Sequence, residues 1–145
     1  MARWRGTRPG FVLEVSSPLT PDDLWARLWD LDRHSTSIPL TTVTAADGRP
    51  LALGSLFTGR TALGPLGFDD VMEVTSWQRP THATIEKIGR WLGGRITVDV
   101  EPRGTGSRLV WSQTYRTPLL PDRLAGLASG LVRHGYATSI RRIIG

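Results

Sequence analysis

The 145-residue chain contains no cysteine. Neither disulfide bonds nor thiolate chemistry therefore enters its function. Lysine is nearly missing as well: of 18 basic residues, Lys87 is the only lysine. No apolar run approaches the roughly 20 residues needed to span a bilayer. The opening Met1-Ala2-Arg3-Trp4-Arg5 lacks the apolar stretch of a signal peptide. A cytoplasmic protein without stable membrane insertion, monomeric or homodimeric, is the expectation. No Gly-x-Ser-x-Gly nucleophile turn occurs. Gly104-Thr105-Gly106 is followed by no helical pattern, which makes it a hairpin turn and not a phosphate loop. The three histidines, His34, His82 and His134, have no metal-ligand spacing. No metal and no cofactor are expected. With no repeat, linker or low-complexity segment, residues 1–145 read as one domain, large enough for a real core. Residues 1–8 are expected to form a loose tail.

A net charge of +5 and a pI near 10.9 invite a nucleic-acid reading. Arg3, Arg5 and Arg8 lie in the tail and leave only +2 for the rest. The other arginines are scattered among 13 acids. That dispersion fits a solvated surface better than a binding patch, so no nucleic-acid partner is expected.

The hydrophobic pattern is that of a meander with helices at two places. Gly10–Val15 alternates, with Phe11, Leu13 and Val15 on one face. Thr20-Pro21-Asp22-Asp23 is a helix start, with threonine as cap, proline at the first position and acids in the first turn. Leu24, Trp25, Leu28 and Trp29 form its buried stripe. A short second helix is expected over 30–35, ended by Ile38-Pro39. Strands follow at about 40–44, 54–63, 68–77, 82–89, 93–101 and 108–116, separated by turn residues. The last stretch, from Pro121 to about Ile144, is helical. Leu124, Leu127, Leu131 and Thr138 make one stripe. Ala125, Ala128, Val132, Ile140 and Ile143 make a second, flanking one. Such a wide apolar face must cover something. Gly126, Gly130 and Gly135 each cost roughly 1 kcal/mol against alanine. Their presence implies close approach to a sheet or to a bound molecule. Six or seven strands with these helices make an α+β domain.

Two segments carry a resemblance. Pro18 to Pro39, PLTPDDLWARLWDLDRHSTSIP, resembles the helix pair after the first strand of the START-like, polyketide-cyclase-like superfamily (SRPBCC, or Bet v 1-like). GTGSRLVWSQTY resembles its last strand, and the long terminal helix is similar too. The resemblance covers nearly the whole chain. It implies a helix-grip fold: a curved antiparallel sheet wrapped around the C-terminal helix, with a pocket between them. The superfamily spans lipid carriers, hormone receptors and polyketide aromatase/cyclases, so the fold alone does not choose a function.

Hairpin registers predict which side chains face that pocket. A four-residue loop at Gln78–Thr81 pairs Trp77 with His82, Val74 with Ile85 and Met72 with Lys87. The Arg103–Gly106 turn pairs Val98 with Trp111 and Ile96 with Gln113, and the hairpin between them pairs Ile85 with Ile96. One face then carries Met72, Val74, Ala83, Ile85, Ile96, Val98, Val100, Leu109 and Trp111. Glu73, Glu86, Thr97 and Asp99 face solvent. Four polar residues are caught on the apolar face, all toward one end: Asp70, Lys87, Gln113 and Tyr115. On one reading they form a polar cluster that orients a ligand. On the plainer one Lys87 snorkels to solvent and Asp70 caps a turn. Arg60 faces outward beside a four-residue loop at 64–67, or inward beside Asp70 if a bulge intervenes.

The remaining candidates are weaker. His34 reads as a surface histidine near the pocket mouth, and Asp30 and Asp32 as surface acids of a short helix. Trp91, in a glycine-flanked turn, is expected near the mouth. Three functions stay open. The first is binding of a small, largely apolar molecule, aromatic or polyketide-like, in a cavity lined by Met72, Ile85, Trp111, Leu124, Leu127 and Leu131. The second is an aromatase/cyclase or dehydratase-type enzyme using Lys87, Asp70 and Tyr115. The third is a pocketless interaction domain.

Overall fold

The computed structural model describes residues 10–90, 92–116 and 122–145, the last stretch by backbone alone up to residue 131. The expected tail at 1–8, Trp91, the side chains of Leu124, Leu127 and Leu131, and the surroundings of Gly126 and Gly130 lie outside the described residues. The elements run β1 (Gly10–Ser17), α1 (Pro21–Leu28), α2 (Leu31–Ser37), β2 (Thr41–Ala45), β3 (Leu56–Leu63), β4 (Leu66–Gln78), β5 (His82–Ile88), β6 (Gly93–Arg103), β7 (Gly106–Arg116) and α3 (Asp122–Ile144). All seven strands join one antiparallel sheet in the order β1-β7-β6-β5-β4-β3-β2. Consecutive hairpins build β2 to β7, and β1 closes on β7 along its whole length. α1 and α2 carry the chain from one edge of the sheet to the other. The sheet curls around α3, which gives the helix-grip fold.

Local chemistry sets each boundary. In β1, Phe11, Leu13 and Val15 are buried while Val12 and Glu14 are exposed, the period-2 pattern of a one-sided strand. Thr20 caps α1 by accepting from the Asp23 amide at 3.3 Å, and Asp30 caps α2 by accepting from the Asp32 amide at 3.1 Å. The short helix thus starts after Asp30 and runs to Ser37, two residues beyond the expected end. At its far end α3 is held by two cations. Arg27 donates to the carbonyls of Ile144 and Gly145, at 3.4 and 2.8 Å. Arg33 donates to the carbonyl of Ile143 at 3.2 Å. Both satisfy carbonyls that have no partner within the helix, at its negative pole.

The predicted facing holds. Met72, Ile85, Ile96, Val98 and Trp111 are buried, while Asp99 is exposed and Glu73, Glu86 and Thr97 are half-exposed on the other face. The registers of β5 with β6 and of β6 with β7 are as expected, including Ile85 opposite Ile96 and Val98 opposite Trp111. The β4–β5 hairpin departs from expectation at its turn end. Met72 faces Lys87 and Val74 faces Ile85, but Trp77 faces Ala83 and not His82. The register shifts between Val74 and Ser76, where Thr75 is an extra residue: a β-bulge. The bulge reverses the facing beyond it and turns Trp77 inward. There it lies edge-on to Trp25, with ring centroids 5.0 Å apart, and 5.6 Å from Trp29. Arg60 also resolves. β3 and β4 close through Gly64-Pro65, with Leu63 opposite Leu66 and no bulge. Gly64 takes a positive φ of 59° in this turn. Arg60 therefore faces outward and pairs with Asp69 at 2.9 Å.

Two outcomes follow from this packing. Leu28→Ala, at a fully buried position, should lower stability by ~2–5 kcal/mol in chemical denaturation, against ~0.5 kcal/mol or less for the exposed Leu66→Ala. Deleting Thr75 leaves Val74 opposite Ile85, Ser76 opposite Thr84 and Trp77 opposite Ala83 in an unbroken ladder, so Trp77 stays inward. The tryptophan emission should keep its wild-type position, with a stability change of no more than ~1–3 kcal/mol. A red-shifted spectrum would show that the bulge does not set the facing of Trp77.

Candidate functional site

The curl of the sheet leaves a cavity of about 650 Å³ under α3, within the range of small-molecule sites. Its size removes the pocketless reading. The inner faces of β3 to β7 supply an apolar wall that includes Phe57, Met72, Ile85, Ile96 and Trp111, and Trp29 joins it from the end of α1. Trp29 and Trp111 are stacked, with ring centroids 6.3 Å apart and planes 24° from parallel. From α3 come Val132, Gly135, Tyr136 and Ser139. Pro39, Phe68, His134 and Arg142 line the cavity and are exposed, so they mark where it meets the surface.

One end of the cavity is polar. Lys87 on β5 lies opposite Met72, so Asp70, two residues along β4 on the same face, sits diagonally across from it. The Lys87 ammonium donates to Asp70 Oδ2 and lies 3.9 Å from Met72 Sδ. The side chains are only 3% and 13% exposed. Lys87 therefore does not snorkel to solvent and Asp70 does not cap a turn; they form a buried ion pair inside the sheet. Burial by itself pulls the Lys87 ammonium toward neutrality. The Tyr136 phenol and the Asp70 carboxylate beside it outweigh that, and its pKa is raised above the ordinary lysine value. Lys87 is thus a fixed cation and not an amine nucleophile. Asp70 Oδ1 is buried and has no hydrogen-bond partner among the described residues.

Tyr136 links this pair to the wall. Gln113 Nε2 donates to the Tyr136 hydroxyl at 3.2 Å, and Trp111 Nε1 donates to Gln113 Oε1 at 3.0 Å. Gln113 is buried but does not line the cavity; it holds Tyr136. Tyr115, expected in the same cluster, stands opposite Gly94 near the end of β7 and does not line the cavity. The phenol at the site belongs to the helix instead. Sequence reasoning missed it, although a signal existed. Tyr136 lies four residues after Val132 and four before Ile140, inside the stripe already read as apolar.

His34 is a correction too. It is buried in α2 and lines the cavity; it is not a surface residue. Its Nε2–H donates to the Leu28 carbonyl, which leaves Nδ1 as the acceptor of the neutral ring. Burial lowers its pKa below the ordinary histidine value, against smaller opposing effects of that hydrogen bond and of Asp30. The site thus combines an apolar volume, a fixed ammonium, a phenol and a neutral imidazole.

Two glycines also line it. A Cβ at Gly135 would meet no atom of the described residues within 4 Å, so the described sheet does not crowd this turn of α3, contrary to one of the two expectations for it. A Cβ at Gly59 would meet only Met72 Cε at 3.7 Å and the methyls of Thr41 and Val43 at 4.0 Å, ordinary contact distances.

Solved structures share this architecture. Ara h 8.0201 superposes with a TM-score of 0.69 at 18% identity, covering 94% of this chain and 95% of that one. TTHA0849 from Thermus thermophilus gives 0.70 at 15%, covering 94% of each. The di-domain ARO/CYC StfQ from the steffimycin biosynthetic pathway gives 0.70 at 12%, covering 92% of this chain and 48% of that one. At these identities the likeness is one of fold. No curated protein sequence matches the chain significantly. The family model described as polyketide cyclase/dehydrase and lipid transport matches residues 8–144, nearly the whole domain that forms the sheet, the helix and the cavity between them, and the chain belongs to that family.

Proposed function

We propose that this protein binds a small, largely apolar molecule carrying keto or hydroxyl oxygens in the cavity between α3 and the sheet. The observation that carries this reading is the polar end of an otherwise apolar cavity, where a buried cation sits beside a phenol. Met72, Ile85 and Trp111 pack the ligand's apolar body. Leu124, Leu127 and Leu131 are proposed to do so from the helix. Lys87 and Tyr136 donate to its oxygens, and Asp70 Oδ1 accepts from a hydroxyl. Gln113 acts by positioning Tyr136, and Tyr115 contributes from outside the cavity lining.

The direct test is a calorimetric titration with 1,8-dihydroxyanthraquinone. Lys87→Met alone would strand the Asp70 carboxylate in the interior, at a cost of ~3–5 kcal/mol, and would confound folding with binding. The double variant Lys87→Met, Asp70→Leu removes both charges. It should unfold at a temperature near or above that of the wild type while binding at least about tenfold more weakly, as expected for the loss of hydrogen bonds to a charged group. Equal affinity would show the pair to be structural.

A second reading, an enzyme of the aromatase/cyclase or dehydratase kind, is favoured by one observation: His34, neutral and buried, lines the same cavity as Lys87. A base that takes a proton α to a carbonyl, with an ammonium to hold the resulting enolate oxygen, is the minimum such chemistry needs. In heavy water, the protein should then speed deuterium incorporation at the α-carbon of 1-tetralone, followed by NMR, and His34→Asn should abolish the acceleration. No acceleration by wild-type protein leaves binding as the function.

A further inference from the structure

Gly59 and Gly135 are not required by the backbone around them. Neither takes a positive φ, and neither Cβ would clash with a described residue. Glycine weakens a helix interior and a strand interior alike, so alanine at either position would serve the fold better. Both positions line the cavity, Gly59 buried on the sheet side and Gly135 exposed on the helix side, where the cavity meets the surface. The missing side chains keep it wide. A single acyl chain does not need that width: it is thin, bends freely, and packs as well against alanine or valine as against glycine. A rigid fused-ring system does need it, because it cannot fold around an added methyl group. Trp29 and Trp111 both put aromatic surface on the cavity wall, and Lys87 and Tyr136 offer donors to oxygens on the rim of such a ring.

We propose that Gly59 and Gly135 are specificity-determining positions that fit the cavity to a flat, oxygenated fused-ring ligand in preference to a single acyl chain. This inference rests on the cavity being a binding site. It separates ring ligands from lipids as the class that the site selects.

The test measures calorimetric affinity for two probes, 1,8-dihydroxyanthraquinone and palmitate, in wild type, Gly135→Ala, Gly135→Leu and Gly59→Val, with thermal unfolding of each. Wild type should prefer the tricycle. Gly135→Leu and Gly59→Val should shift the ratio of the two affinities against the tricycle by about tenfold or more, the usual worth of a methylene-sized misfit in an apolar pocket. Gly135→Ala should melt no lower than wild type and shift the ratio in the same direction, which keeps the test valid if a larger substitution fails to fold. An unchanged ratio in the folded variants, or a wild type that prefers palmitate, overturns the specificity assignment and leaves the cavity reading standing. A wild type that takes up neither probe overturns the cavity reading and the assignment with it.

Discussion

The arrangement of the site depends on one ion pair taken out of water. Lys87 and Asp70 are both charged groups in an apolar interior, and desolvating each ion there costs several kcal/mol. Their mutual attraction offsets this only where the geometry is close and the leftover donors find acceptors. Here the ammonium has the Asp70 carboxylate and the Tyr136 phenol, and one carboxylate oxygen is left without a described partner. Such pairs are commonly replaced by packed apolar residues with no loss of stability. The pair is therefore poorly explained as a device for folding. It is well explained as a set of hydrogen-bonding groups waiting at the end of a cavity, which is the role proposed for it.

The rest of the fold holds that pair in place. Strand parity puts Asp70, Met72 and Lys87 on the concave face, and the β4–β5 register keeps the two charges diagonal to each other. α3 closes the cavity and brings Tyr136 over the pair. Arg27 and Arg33 fix the far end of α3 to the α1–α2 layer. Trp111 and Gln113, two residues apart on β7, set the Tyr136 hydroxyl through a short chain of hydrogen bonds. A sheet, a helix and a helix pair thus each contribute one element to a single site. That division is why the site forms only when the whole domain has folded.

Much of this is legible in the chain. Alternation in the strands identifies the concave face, and the caps Thr20 and Asp30 mark the helix starts. The registers around Lys87 follow from the apolar pattern, because a slip of one residue would turn every core side chain to solvent. What escapes is what local pattern does not encode. The Thr75 bulge has no signature of its own; the pull on Trp77 comes from Trp25 and Trp29, far earlier in the chain. His34 lies in a short helix with no room for a periodic signal and too polar to read as buried, yet its ring is anchored on the Leu28 carbonyl. Tyr115 has the same parity as Gln113 and reads as inward for that reason, but parity fixes a face and not a depth. Parity also gives the inward facing of Asp70 and Lys87. Whether they pair or escape to solvent depends on what lies above them, and that is decided by the helix.

The central claim, that a ligand lies under α3 against the concave face, is tested most directly by methyl NMR. Met72 is the only methionine apart from Met1, and its Cε lies beside Gly59 in the cavity. Protein carrying [methyl-13C]methionine and bound to 1,8-dihydroxyanthraquinone should show nuclear Overhauser contacts between the Met72 methyl and the ring protons. A saturating ligand that leaves the Met72 signal unmoved and without such contacts would place binding elsewhere and contradict the account.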